Sequence, residues 1–338
     1  MNYEWLFLLA CAAISWILTG LLRRYALAKS LMDVPNARSS HSIPTPRGGG
    51  LAIVIVFLAG LPVLWLNDSL STPTLWALLG AGISVALIGF LDDHGHIPAR
   101  WRLLAHFFAA GWGLFWLNGL PPLQFFGQTL DLGWAGNILG ALYLVWLLNL
   151  YNFMDGIDGL ASIEAISVAL GGILLSVLAP DQSGAWPLSA LLLAAVLGFL
   201  LWNFPPAKIF MGDAGSGFLG LVLGLLSIQA TWLAPKFLWS WLILLGVFIV
   251  DATWTLIRRF LRGDKVYEAH RSHGYQFASR KHGHRTVTLT VALINSVWLL
   301  PIALWVGVGG LDGIFGLLLA YTPLIFLAIR YQAGELES

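Results

Sequence analysis

The sequence predicts an all-α polytopic membrane protein. It reads as about eleven transmembrane helices, with the N-terminus periplasmic, the C-terminus cytoplasmic and the polar chemistry on the cytoplasmic face. Three observations predict this. First, the 338 residues are 58% hydrophobic and only 10% charged, with a mean hydropathy of +0.79, which excludes an ordinary soluble domain. Second, apolar runs of 17 or more residues recur without the alternation of a membrane β-barrel. Third, threading those runs back and forth puts 17 of the 18 Lys and Arg on one side, Lys236 being the exception.

In chain order the spans run roughly 3–22, 48–66, 75–91, 101–117, 134–150, 160–179, 187–204, 215–233, 238–257, 287–306 and 313–329. The first has Glu4 in front and Arg23 and Arg24 behind, the reverse of a signal peptide, so it reads as a retained span. Outer loops are short and bland, apart from "NGLPPLQFFGQTLDLG". All eight histidines lie on or near the inner face, and the tail "RYQAGELES" is cytoplasmic. Residues 1–338 read as one integral-membrane domain whose inner loops, 23–47, 92–100, 151–159, 203–214 and 258–286, form the active face. The lone cysteine, Cys11, excludes a disulfide framework and a zinc cluster. The sequence shows no internal repeat of the kind that marks inverted-repeat transporters.

Four inner segments carry the polar groups. Asp92 and Asp93 lie in "GFLDDHGHIPARWR", Asp155 and Asp158 in "NFMDGIDGL", Asp213 in "NFPPAKIFMGDAGSG", and the fourth, "AHRSHGYQ", is cationic. An ionisable group at bilayer depth costs roughly 2.5 kcal/mol or more and marks function by default. One Asp at a helix end is commonly a cap; five on one face, each beside Gly or another acid, ask for more. Converging carboxylates repel unless a cation joins them. Hard oxygen donors suit Mg²⁺, with Mn²⁺ as a substitute, held by one or two carboxylates plus substrate phosphate oxygens.

Asp155 and Asp158, three apart, are expected to project from one side of a helix turn, with Gly156 and Gly159 leaving the backbone bare for a phosphorylated ligand. Asp213 precedes a helix opening in Gly and Ser, whose N–H groups are expected to face anions. The loop from Arg258 to Thr286 holds eight Lys or Arg and four His. Arg280, Lys281 and Arg285 suit lipid headgroups, whereas His270, Arg271 and His273 suit a phosphate or sugar clamp. The first inner loop, "DVPNARSSHSIPTPRGGG", either orders over a nucleotide or is a plain connector.

These motifs, in this order over nearly the whole chain, resemble the polyprenyl-phosphate N-acetylhexosamine-1-phosphate transferases, the superfamily of MraY and WecA. Within it the chain looks most similar to the WbpL-like enzymes that initiate O-antigen synthesis in Gram-negative bacteria. The resemblance implies a Mg²⁺-dependent reaction in which undecaprenyl phosphate attacks the β-phosphate of a UDP-N-acetylhexosamine (GlcNAc, or a FucNAc or QuiNAc type) and UMP leaves. This would be the first step of O-antigen and lipopolysaccharide synthesis, in the bacterial inner membrane. The implied partners are the UDP-sugar, the lipid phosphate, the bilayer and a second copy of the chain as a homodimer, without nucleic acid.

Residue by residue, the resemblance assigns Asp92 and Asp93 to activating the lipid phosphate, and Asp158 and Asp213 to the metal, with Asp155 beside them. Asn203, Phe210 and the Gly159–Leu160 backbone match the uridine pocket, and Arg102 a phosphate-contacting cation. Asn152 and Thr45 complete the expected substrate-binding set with His270, Arg271 and His273. Where relatives carry "HIHH", this chain has "HRSHGYQ", which leaves the sugar contacts open. A membrane prenyltransferase would show "NDxxD" and "DxxxD" pairs, and a transporter would bury acids in mid-span. Neither pattern is present, although Glu164 and Asp251 lie within spans near their inner ends.

Overall fold

The computed structural model describes residues 2–35, 40–41, 43–95, 97–179, 186–264 and 271–336. It contains α1 (Asn2–Ala28), β1 (Met32–Asp33), β2 (Thr45–Pro46), α2 (Leu51–Leu66), α3 (Thr72–His94), α4 (Ala99–Trp116), β3 (Leu123–Phe125), β4 (Gln128–Leu130) and α5 (Gly133–Met154). There follow α6 (Leu160–Leu178), α7 (Trp186–Asn203), α8 (Asp213–Leu233), α9 (Phe237–Leu244), α10 (Gly246–Arg262), α11 (Gly274–His282) and α12 (His284–Ile294). A π turn (Asn295–Leu299), α13 (Leu300–Gly307) and α14 (Gly313–Arg330) complete the chain.

Every predicted apolar segment falls on helix, and the protein is a polytopic helical membrane protein. Among the described residues, eight helices are long and apolar enough to cross a bilayer: α1, α3, α5, α6, α7, α8, the α12–α13 run and α14. The segment expected as one span at 238–257 is instead α9 and α10, meeting at 73°; taken together they are a ninth. The break has a physical reason. A straight continuation would carry Asp251, Arg258 and Arg259 along the bilayer axis; after the bend, Arg258 is ion-paired with Glu335 and the buried Arg259 with Asp264. Helix α2, at 16 residues, is shorter, and α4 carries Arg100 and Arg102 in its first turn.

One buried apolar cluster runs from Cys11 in α1 to Leu324 in α14. Helix α8 lies at its centre against α2, α3, α5, α6 and α9, and α1 lies at the edge against α7. Small residues bring the helix ends together. A Cβ at Gly89 in α3 would sit 2.7 Å from the Ala214 backbone, and one at Gly50 would sit 2.6 Å from Gly215 Cα. The start of α2, the end of α3 and the start of α8 therefore meet at one end of the bundle. Leu and Phe side chains such as Phe108, Phe115, Leu293 and Phe326 cover the outer faces, as lipid contact requires. Two short antiparallel pairs decorate the loops: β1 with β2 in the first inner loop, and β3 with β4 in "LQFFGQTL".

Candidate active site

The polar segments converge where α2, α3 and α8 meet. Asp93, in the last turn of α3, is buried and turned toward α8. Its Oδ1 accepts from the Asp213 backbone N–H (3.2 Å) and its Oδ2 from that of Ala214 (3.3 Å). A carboxylate there satisfies orphan N–H groups and the positive end of the helix dipole. Gly212 makes the approach possible: its φ is +80°, and a Cβ would sit 2.8 Å from Asp93 Oδ2. The α8 N–H groups expected to face a ligand are thus taken by the chain's own Asp93, and Arg47 donates to the Asp93 carbonyl.

Asp92 points the other way. Its Oδ1 accepts from the Ile97 N–H (2.7 Å) and its Oδ2 from Arg102 Nη1 (2.6 Å), and the same nitrogen lies 3.7 Å from Asp213 Oδ2. Asp92, Arg102 and Asp213 form a charged chain linking α3, α4 and α8.

Asp155 and Asp158 are not on a helix turn, contrary to expectation. Helix α5 stops at Met154 because Asp155 leaves helical geometry as its C-cap, and Asp158 lies in the turn that Gly159 (φ +74°) closes before α6. Gly156 does leave its backbone bare toward the cavity, as expected, and a side chain there would strike the Tyr275 hydroxyl, which donates to Phe153 O (2.9 Å). Burial holds that hydroxyl well above its ordinary pKa, so it is a neutral donor.

Asp158 is tightly held. Its Oδ2 accepts from the Ala207 N–H (3.0 Å), its Oδ1 lies 3.2 Å from His284 Nδ1, and its carbonyl accepts from Thr288 Oγ1 (2.8 Å). His284 Nε2 in turn is 3.1 Å from Ser40 O. Burial works against the Asp158 charge, but the His284 and Ala207 hydrogen bonds outweigh it and hold the carboxyl below the usual range. Asp155 is the opposite case. Burial first, then the neighbouring Asp213, Asp93 and Asp158, push its carboxyl well above the ordinary value.

A cavity of about 400 Å³ opens among these groups. Of the predicted residues, Asp93, Asp155, Asp158, Asp213, Asn152, Asn203 and Phe210 line it. Asn203 is 3% exposed and committed: Oδ1 accepts from the Gly159 N–H (3.0 Å) and Nδ2 donates to Ile209 O (3.0 Å), so it positions the loops rather than presenting a free edge. Asp92 and Arg102 stand behind the wall. Leu160 is fully buried, Gly159 serves the turn, and the Thr45 hydroxyl donates to Ile43 O (3.0 Å). His270, with Arg38 and Lys265, lies outside the described residues.

The expected His–Arg clamp falls partly outside the described residues, and neither of its described members, Arg271 and His273, lines the cavity. His273 is 2% exposed and starts α11 away from the cavity lining, its Nδ1 3.4 Å from Asp251 Oδ1. Asp251 also accepts from the N–H groups of Gly274 (2.9 Å) and Tyr275 (2.8 Å). The half-buried Asp251 holds the start of this segment. Arg271 is likewise absent from the lining. Cavity residues that sequence reasoning missed are Asp33, His41, Arg47, Gln276 and His284. His41 packs edge-on to Phe210, centroids 4.8 Å apart. The turn-rich first loop was the one available signal for Asp33, His41 and Arg47; nothing local distinguished His284.

The donor set fits Mg²⁺. The Asp155 carboxylate accepts no hydrogen bond from the described residues and faces three other carboxylates, a conflict that a cation resolves. Among the described residues no three His, Cys, Asp or Glu side chains close on one point. Mg²⁺ commonly takes few carboxylates and completes its shell with water and substrate phosphates.

A multi-helix membrane fold with a carboxylate-lined, cation-rimmed cavity at one end defines a class of membrane-embedded phosphotransfer enzymes, and comparison with known proteins narrows it. Residues 75–231 match the family described as Glycosyl transferase family 4. The chain is 32% identical over 292 residues to a probable undecaprenyl-phosphate N-acetylglucosaminyl 1-phosphate transferase of Bacillus subtilis (strain 168), covering 83% of this chain and 79% of that protein. It is 33% identical over 317 residues to the decaprenyl-phosphate N-acetylglucosaminephosphotransferase of Mycobacterium tuberculosis (strain ATCC 25618 / H37Rv), covering 84% and 78%. It is 31% identical over 286 residues to the phospho-N-acetylmuramoyl-pentapeptide-transferase of Rhodopseudomonas palustris (strain BisB18), covering 75% and 76%. The chain belongs to this family, the MraY and WecA superfamily of membrane phosphosugar transferases. Membership sets aside the prenyltransferase and transporter readings.

Proposed function

We propose that this protein transfers an N-acetylhexosamine-1-phosphate from a UDP-sugar to undecaprenyl phosphate, releasing UMP. The observation that carries the reading is the single cavity lined by Asp93, Asp155, Asp158 and Asp213 in a chain of this family. A phosphate oxygen of the lipid attacks the β-phosphorus, the bond from that phosphorus to the bridging oxygen breaks, and UMP leaves with the oxygen. Such transfer depends on positioning and charge neutralisation more than on covalent help. Mg²⁺ held by one or two of Asp155, Asp158 and Asp213, with substrate phosphate oxygens completing its shell, would supply neutralisation of the diphosphate. Arg47 and His41 give the cavity its positive side, and Phe210 offers a ring face for a base. Asp93 fixes the start of α8, and with it Asp213; Asp92 fixes Arg102.

The positive-inside distribution favours a cytoplasmic cavity within an eleven-span topology, and the bacterial relatives favour the inner membrane. Assignment to O-antigen initiation, and to a GlcNAc, FucNAc or QuiNAc-type sugar, rests on the resemblance to the WbpL-like enzymes alone. Purified protein given undecaprenyl phosphate, Mg²⁺ and a panel of UDP-sugars should release UMP from one or two of them. Release from none, by protein that melts cooperatively, would refute the assignment.

A further inference from the structure

We propose that Glu164 and Asn295 form a proton-binding carboxylic acid–carboxamide pair inside the bundle, at the joint between α6 and the π turn, holding one proton at neutral pH. Glu164 is fully buried and Asn295 is 3% exposed. Asn295 Nδ2 donates to Glu164 Oε2 at 2.6 Å. The remaining two oxygens, Glu164 Oε1 and Asn295 Oδ1, are buried and without a hydrogen-bond partner. Both are acceptors, so an ionised Glu164 leaves both orphaned, together with a charge at membrane depth. One proton on Oε1, donated to Asn295 Oδ1, completes a ring of two hydrogen bonds and removes the charge.

Among the described residues the surroundings offer no other side-chain donor. The titratable groups facing Glu164 are Tyr151 of α5 and Tyr321 of α14. Their hydroxyls are spent on Ala161 O and Leu242 O, each at 2.7 Å. No Lys, Arg or His among the described residues acts on the carboxyl; the Phe248 backbone N–H, in the first turn of α10, is the further donor beside it, and Oε1 still lacks a partner. The location is also unusual. A π turn is rare and commonly marks a functional irregularity, and here it meets the membrane-buried start of the bent helix α10, which carries Asp251 and through it α11.

Gln reproduces the neutral pair, because its amide can donate to Asn295 Oδ1 and accept from Nδ2. Glu164→Gln should therefore melt in detergent at or above the temperature of the parent at pH 7, while Glu164→Ala melts lower. Infrared difference spectra should show a protonated-carboxyl C=O band that is lost in Glu164→Gln. Absence of the band at pH 7, or Glu164→Gln melting as low as Glu164→Ala, would overturn the proposal and point to a charged carboxylate with a bound cation. Because both readouts are independent of turnover, they hold whatever sugar the enzyme uses.

Discussion

Asp93 Oδ2 accepts a hydrogen bond from the Ala214 backbone N–H at 3.3 Å, so the second acid of "DD" is the anion that closes the start of α8. A charge placed there acts on Asp213, one residue away, through the backbone it holds. Asp93→Asn puts an amide donor against N–H donors and removes charge from the helix end, for a loss of about 1–2 kcal/mol in stability. It should lower kcat for UMP release tenfold or more while the KM for UDP-sugar moves less. Melting curves and steady-state kinetics in the same detergent decide it: loss of kcat with unchanged melting would mean that Asp93 acts on substrate directly.

Asp92 makes the contrast. Its partners are Arg102 and the Ile97 N–H, behind the cavity wall. Asp92→Asn frees Arg102 from one carboxylate and leaves it 3.7 Å from Asp213. The enzyme should then need more Mg²⁺ for half-maximal rate, because Asp213 is shared more fully with the guanidinium. An unchanged Mg²⁺ requirement would remove Arg102 from the metal side of the site.

Asp155 carries the metal reading. It is pushed toward the protonated form by burial and by Asp213, Asp93 and Asp158, so removing its charge should relieve strain while removing a ligand. Asp155→Asn should melt higher than the parent in EDTA, gain no further stability from Mg²⁺, and release no UMP. The parent in EDTA should be inactive and recover when Mg²⁺ is restored. Full turnover in EDTA would end the metal assignment.

The fold was legible because hydropathy and the Lys/Arg distribution are properties of long windows, and each predicted span falls on helix. The break at Leu245 was not, since an apolar run such as "FLWSWLILLGVFIV" reads equally well straight or bent; the signal lay in Asp251 and Arg258 beyond it. At the site, Asp155, Asp158 and Asp213 were legible as acids beside glycines, and Asp93 as the second acid of "DD", all at the inner face. His284 was not, because its meaning comes from Asp158, 126 residues away, and from Ser40. His273 misled for the same reason: its polar neighbours in sequence hid a partner, Asp251, in another helix.

His284 gives a prediction with a defined sign in pH. Its hydrogen bond helps hold Asp158 below the usual carboxylate range, so the pair's stability is fully present above the unfolded-state value of about 3.9 and is lost as pH falls through the lower folded value. His284→Ala should shift the onset of acid unfolding to higher pH. It should also raise the KM for UDP-sugar, because the Ser40 segment loses its anchor. An acid-unfolding curve superimposable on the parent's would show that His284 does not hold Asp158.

Asp251 and His273 give the last prediction. Asp251 accepts from the Gly274 and Tyr275 N–H groups, lies 3.4 Å from His273 Nδ1 and accepts from Thr255 Oγ1 at 3.2 Å, joining α10 to the start of α11. Helix α11 places Gln276 on the cavity wall and Tyr275 against Gly156. Asp251→Ala strips the helix start of its acceptor, for a loss of about 1–2 kcal/mol. His273→Ala opens a hole between Phe153 and Tyr275, whose rings stack with it at 6.3 and 5.7 Å. Both should lower kcat/KM by letting α11 drift from the cavity. Since each acts on the same joint, the double variant should lose less than the sum of the singles, with a coupling of roughly 0.5–3 kcal/mol. A direct sugar or phosphate clamp at His273 predicts something else: a loss in kcat/KM from His273→Ala without a loss in melting temperature, additive with that of Asp251→Ala. The four proteins of the cycle, melted and assayed side by side, separate a joint from a clamp.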